Sequence, residues 1–177
     1  MIYNLKTKRF NDCYYRKINL NNVGKYVPPK WFFNFKHDLE EGYDVFTVET
    51  LEYPGEAQGV ISLQARIHES TVYVKSIEAA NHNKNFTRSR NRNDINTNRI
   101  YKGIGYNLVS FACQYSLEQG CGGHMYLKSK TTTTRFYTQH LKGEHLYEGS
   151  QEIVFDEKAG MDLAKTHFPG GAIQWLN

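Results

Sequence analysis

Arg99-Ile-Tyr-Lys-Gly103-Ile-Gly105-Tyr-Asn-Leu108 is the stretch on which the reading of this chain turns. Its glycine pair opens a run in which Leu108, Phe111, Ala112 and Tyr115 recur at the spacing of a helix with one buried face. Upstream, Thr71-Val-Tyr-Val-Lys-Ser-Ile77-Glu78-Ala79-Ala80 alternates in the manner of a strand. The order is therefore strand, polar connection, glycine turn, helix. Amides at a helix start, with no side chain at either glycine to obstruct them, form an anion site suited to a pyrophosphate. Two familiar phosphate loops do not fit. A P-loop needs Gly-Lys-Ser/Thr after four spaced residues, and the chain has none. A dinucleotide fingerprint needs a third glycine, where Leu108 stands, and a short turn, where roughly twenty mostly polar residues intervene.

Beyond the helix, Gln119-Gly120-Cys121-Gly122-Gly123 is a glycine-rich stop. His124–Ser129 reads as a strand, Thr134–Leu141 as a short helix, and Glu144–Tyr147 with Glu152–Phe155 as a closing pair of strands. In this context Lys102-Gly103-Ile104-Gly105 resembles the second half of the acyl-CoA loop of the GNAT superfamily of N-acetyltransferases, Gln/Arg-x-x-Gly-x-Gly/Ala. The loop's first position is Ile100 here, with Arg99 one residue off. Ile77-Glu-Ala-Ala-Asn-His-Asn83, Phe111-Ala-Cys-Gln, Lys128-Ser-Lys-Thr131 and Phe136-Tyr137 are similar to one small bacterial group of that superfamily. The resemblance covers residues 44–155. It implies an α/β fold of the α+β type, a GNAT-like mixed and mostly antiparallel sheet flanked by helices. One domain over residues 1–177 is expected, with a polar insertion at 83–98.

The bulk numbers agree with that picture. At 177 residues the chain suits one domain with a full core. Hydrophobic residues at 40% and charged residues at 23% are ordinary globular values. A net charge of +4 suits an anionic cofactor but falls far short of a dedicated nucleic-acid footprint. The 13 tyrosines and 10 phenylalanines predict an aromatic core rather than a lined cleft. Cys13, Cys113 and Cys121 have no metal spacing, and their odd number fits a reducing cytoplasm. No signal peptide and no apolar run of membrane-spanning length is visible. A cytoplasmic protein without a membrane partner, monomeric or homodimeric, is the expectation.

Toward the N-terminus, Cys13–Leu20 reads as a first strand. Pro28-Pro29 predicts a helix start, with Lys30–Glu41 filling the helix and Gly42 ending it. Tyr43–Leu51, Gly59–Ile67 and Thr71–Ala80, joined by short turns, predict an antiparallel meander. The insertion at 83–98 is rich in Asn and Arg, with Arg88, Arg90 and Arg92 alternating through it. It reads as a basic flap over acceptor or cofactor, as an RNA contact through residues 84–102, or as a solvated loop.

Amine acetylation requires a proton taken from the amine, an oxyanion stabilised at the thioester and a proton given to the departing thiolate. In the superfamily the cofactor strand splays from its neighbour, and a carboxylate on it often serves as base. Glu78 occupies that place, with His82 as its rival. Tyr137 is the candidate acid, since a phenol stays protonated at neutral pH. Lys130 and Thr133 stand where the superfamily pattern upstream of this tyrosine has Asn and Ala. Cofactor contacts are expected from Ile77, Ala79, Tyr101, Lys102, Gly103, Ile104, Gly105, Tyr106 and Thr131. The resemblance thus implies acetyl-CoA as co-substrate, no metal, and an amine acceptor that the sequence does not name. Two alternatives stand beside it: a degenerate GNAT-like domain that binds a partner or RNA, and toxin-like acetylation of aminoacyl-tRNA.

Overall fold

In the computed structural model, which describes residues 1–85 and 96–176, the strand at Thr71–Ala79 alternates as its sequence predicts. Val72, Val74, Ser76 and Glu78 are buried, while Tyr73, Ile77 and Ala79 on the other face are half-buried. Among the described residues this is β6 of ten strands: β1 (Ile2–Asn4), β2 (Arg9–Asn11), β3 (Tyr14–Ile18), β4 (Asp44–Glu49), β5 (Gly59–Arg66), β6, β7 (Tyr101–Lys102), β8 (Met125–Lys128), β9 (Glu144–His145) and β10 (Glu152–Phe155). The α-helices are α1 (Phe35–Glu40), α2 (Ile104–Glu118) and α3 (Glu157–His167).

Seven strands form a mixed sheet in the order β3-β4-β5-β6-β8-β10-β9, and β2-β1-β7 form a smaller one. The β3–β4, β8–β10 and β10–β9 pairs are antiparallel, whereas β6 and β8 run parallel. Parallel neighbours need a long crossover, and α2 supplies it. The mostly antiparallel sheet with flanking helices is the architecture that the sequence predicts.

Two compact units interleave along the chain. The first comprises Met1–Ser62, Ser76–Leu108 and Gln174–Asn177; the second comprises Leu63–Lys75 and Val109–Ile173. In the first, Ile18, Val23, Tyr26, Trp31, Phe35, Val45, Val60 and Ala80 form one apolar cluster. Each large side chain fully buried there contributes roughly 1.5–3 kcal/mol. The helix expected over Lys30–Glu41 is shorter, Phe35–Glu40, for a local reason. The amides of Phe32 and Phe33 donate to Glu78 instead of entering a helical turn, and the Asn34 side chain caps α1 by accepting from the His37 amide.

The second unit buries Val72, Val74, Phe111, Met125, Leu127, Leu141, Ile153 and Phe155. The helix predicted at Thr134–Leu141 contains a π turn at Phe136–His140. Helix α3 was not anticipated. Its signals were present: Asp156 caps it by accepting from the Ala159 amide, and Gly160, Ala164 and Phe168 make a buried stripe at helical spacing. Helix α2 departs from its one-face pattern, since every residue from Asn107 to Ser116 is buried. Small side chains at Ser110, Ala112, Cys113 and Ser116 permit that, and a helix buried all round is not amphipathic.

The tyrosine-rich core is present: Tyr15, Tyr26, Tyr101, Tyr115 and Tyr137 are all buried. Cys13, Cys113 and Cys121 are free and buried. Burial pushes the Cys13 thiol to about 11 and the Cys113 thiol to about 12, which makes both poor nucleophiles. Among the described residues no helix is long and apolar enough to cross a membrane. Arg88, Arg90 and Arg92 lie outside the described residues; just before and after that stretch, the Asn96 amide donates to the Asn85 carbonyl at 2.9 Å.

Candidate active site

Gly103 sits at φ +90°, a backbone conformation that L side chains rarely adopt, and α2 begins at the next residue. A Cβ at Gly103 would meet nothing within 4 Å, so the backbone there borders open space. No acidic residue stands in the first turn of this 15-residue helix to offset the partial positive charge of its start. The turn is held from both sides. Before it, β7 pairs with β1 through Tyr3–Lys102 and Asn4–Tyr101. After it, Ile104 and Leu108 approach β5 so closely that a Cβ at Gly59 would lie 2.7 Å and 2.9 Å from their side chains. Glycine at 59 is what lets the helix start sit there.

The predicted cofactor residues divide by what remains available to them. Tyr101 is fully buried: its hydroxyl donates to Glu52 at 2.5 Å, and its amide donates to Asn83 at 2.9 Å. Ile104 is buried as well, so its backbone rather than its side chain is what it offers. The Lys102 ammonium lies 4.6 Å from the centre of the Tyr3 ring. Gly105 and Tyr106 fall in the first turn of α2. Ile77 and Ala79 are half-buried on the face of β6 opposite Glu78. Thr131 belongs to the second unit, where its hydroxyl accepts from Gln151 at 2.9 Å.

Glu78 is buried to 6% exposure and richly bonded. Its carboxylate accepts from the Phe32 amide at 2.8 Å, from the Phe33 amide at 3.1 Å and from the Lys84 ammonium. This anchors the 30–33 segment to the end of β6. Hydrogen bonds to an ionised acceptor are among the stronger ones in a protein, so the carboxylate is an effective anchor.

His82 is arranged differently, and its tautomer follows from a chain of bonds. The Tyr101 amide can only donate, so the Asn83 atom it meets is the side-chain oxygen. Asn83 Nδ2 therefore faces Gln58 Oε1, at 2.9 Å. That oxygen also meets His82 Nε2 at 2.9 Å, so Nε2 must carry the hydrogen. The lone pair is left on Nδ1, which has no hydrogen bond among the described residues. Burial also pushes the imidazole below its ordinary value, with Glu56 opposing and Lys30 adding to the effect. His82 lines a cavity of about 230 Å³ within the first unit, together with Lys25, Tyr26, Lys30, Trp31 and Glu56. Spacing along the sequence does not reveal this network, because its bonds join Gln58 to residues 24 and 25 positions away.

Tyr137 lies in the π turn, 7% exposed, and burial pushes its phenol up to about 12. Its hydroxyl has no hydrogen-bond partner among the described residues, and its ring packs edge-on against Phe136 at 5.2 Å. At neutral pH it holds its proton and is unencumbered as a donor. Among the described residues no three His, Cys, Asp or Glu side chains cluster as metal ligands would.

No protein-family model matches the chain, and no curated protein matches it either. Solved structures do. A GNAT-family acetyltransferase from Listeria monocytogenes aligns over 68% of this chain and 67% of its own, at TM-score 0.39 and 15% identity. A crystal structure of AtaTR bound with AcCoA aligns over 86% of this chain and 98% of its own, at TM-score 0.56 and 12% identity. A mutant AtaT toxin bound to the C-terminus of the antitoxin AtaR aligns over 89% and 98%, at TM-score 0.54 and 10% identity. The chain has the GNAT fold. At such identities the likeness is one of fold. The β6–β8 ladder covers only three pairs, Val72–Val74 with Met125–Leu127, while β6 runs on to Ala79.

Proposed function

We propose that the chain is an acetyl-CoA-dependent N-acetyltransferase that passes an acetyl group to a primary amine of a small molecule, peptide or protein. The observation that carries this is the GNAT fold with a positive-φ glycine placed directly before a long helix. The backbone at Lys102–Tyr106 receives the pyrophosphate of CoA, and the helix start supplies the positive end of its dipole. Ile77 and Ala79 line the path of the pantetheine and thioester, and Thr131 is a further candidate for a polar contact with the cofactor. The amine attacks the thioester carbonyl directly in a ternary complex, and Tyr137 protonates the departing thiolate. Glu78 holds the acceptor-side segment through Phe32 and Phe33 and, in the alternative division of labour, takes the amine proton itself.

The acceptor is the finer question. The toxin-like alternative that the sequence raises keeps aminoacyl-tRNA among the acceptors to be tried. A domain that binds a partner without turnover remains the other class. The deciding experiment is an assay of CoA thiol release from acetyl-CoA with a panel of primary amines, amino-terminal peptides and aminoacyl-tRNA. The expected result is release that depends on one acceptor class, with the acetyl group found on its nitrogen by mass spectrometry. Binding of acetyl-CoA with no thiol release from any of them would instead leave a non-catalytic domain.

A further inference from the structure

We infer that the 230 Å³ cavity lined by Tyr26, Trp31, Glu56 and His82 receives the acceptor, a primary amine bearing an anionic group, and that His82 Nδ1 takes its proton. This rests on the acetyltransferase reading and assigns the acceptor side of the same reaction. Four observations carry it. The cavity combines the Tyr26 ring, over which the Lys25 ammonium already lies at 5.7 Å, with the Trp31 ring and the Glu56 carboxylate, surroundings that suit an ammonium. Trp31, which lines the cavity, is 4% exposed, and its buried indole N–H has no acceptor among the described residues. The hydrogen-bond chain Tyr101–Asn83–Gln58–His82 fixes the imidazole with its lone pair on Nδ1. Finally, Lys25 and Lys30 line the cavity against the single carboxylate of Glu56. That excess of positive charge disfavours a polyamine and suits an amine whose neighbour is a carboxylate or phosphate.

The chain of bonds begins at Tyr101, two residues before Gly103, and ends at His82. Gln58 and Asn83 are therefore positioning residues, tying the base to the same strand that precedes the cofactor loop. The charged groups facing the imidazole act in opposite directions: Glu56 favours its protonation, and Lys30 opposes it together with burial. A neutral imidazole at pH 7 is the outcome required of a base. In the step itself, the ammonium gives one proton to Nδ1, and the freed lone pair forms the C–N bond. The C–S bond then breaks, the thiolate takes the Tyr137 phenol proton, and the second proton of the former ammonium, lost from the new amide nitrogen, restores the phenol. The net reaction consumes an ammonium and acetyl-CoA and yields the amide, CoA thiol and one proton, which His82 releases to solvent.

Two measurements on the full chain test this. Nitrogen-15 NMR of the histidine rings, without any acceptor, should find His82 as the Nε2–H tautomer at pH 7. A hydrogen on Nδ1, or a charged ring at that pH, overturns the assignment. His82→Gln keeps a donor for Gln58 but supplies no base. Acetyl-CoA affinity should stay within about twofold, while turnover of the accepted amine falls roughly 10²–10⁴-fold at neutral pH. That deficit should shrink as pH approaches the pKa of the amine. Full activity in His82→Gln with intact acetyl-CoA binding defeats the inference alone, whereas a wild-type chain that binds no acetyl-CoA defeats the acetyltransferase reading beneath it. For the ligand class, glycine, taurine and phosphoethanolamine are the probes, set against spermidine. Turnover of spermidine in preference to all three removes the anionic group from the proposal.

Discussion

Glu78 at the end of β6 and Tyr137 in the π turn are both buried and both chemically apt, yet their surroundings could hardly differ more. The carboxylate collects two backbone amides and an ammonium. The phenol's hydroxyl has no partner among the described residues. A group whose bonding capacity is spent on its own chain works for the fold, and replacing it leaves other buried groups without a mate. A group held in place by packing alone can act on something that arrives later. The two residues therefore invite opposite outcomes from equally conservative substitutions, and each outcome can be measured in stability and in rate.

The largest effect is expected at the tyrosine. Tyr137→Phe should lower turnover roughly 10²–10⁴-fold while leaving acetyl-CoA affinity almost unchanged, because a transition-state proton is lost and no ground-state contact. Its melting temperature should not fall, since the hydroxyl removed has no partner to orphan. A clear loss of stability would mean that the phenol is structural after all, and near-wild-type turnover would leave the thiolate to solvent. Glu78→Gln should do the reverse. Losing the charge that holds the Phe32 and Phe33 amides and Lys84 should cost about 1–3 kcal/mol of stability. Its smaller loss of rate should be the same at every pH. A deficit that shrinks toward high pH would return Glu78 to the role of base, and His82 would lose it.

The contrast also explains how far the sequence could be read. Alternation in Thr71–Ala79 and the glycine pair before a long apolar run were enough for β6, the turn and α2, because periodicity and glycine are local signals, whereas the parallel pairing of β6 with β8 left no such mark. The helix over Lys30–Glu41 came out too long because the Phe32 and Phe33 amides bond to a residue some 45 positions away. Propensity carries no trace of such a partner. Helix α3 has a legible cap at Asp156 and a legible stripe at Gly160, Ala164 and Phe168, but neither is tied to a chemical motif. In the candidate site, residue identities were visible, but lone pairs were not. That Glu78 is saturated, that Tyr101 is consumed by the core and that His82 keeps Nδ1 open all depend on Asn83, Gln58 and Lys84, ordinary polar residues in any one-dimensional reading.

The central claim is that the turn at Gly103 receives an acyl-CoA. A thermal melt with acetyl-CoA, NAD, FAD and ATP in parallel, on the wild-type chain and on Gly103→Val, tests it most directly. Valine resists φ +90° and so disturbs the amides of the turn. Acetyl-CoA should raise the wild-type melting temperature, with a stabilisation of about 2.7 kcal/mol at a hundredfold excess over Kd. The three other ligands should do far less, and Gly103→Val should fold but lose the response to acetyl-CoA. An equal shift with a dinucleotide, or an undiminished acetyl-CoA shift in Gly103→Val, would contradict the claim.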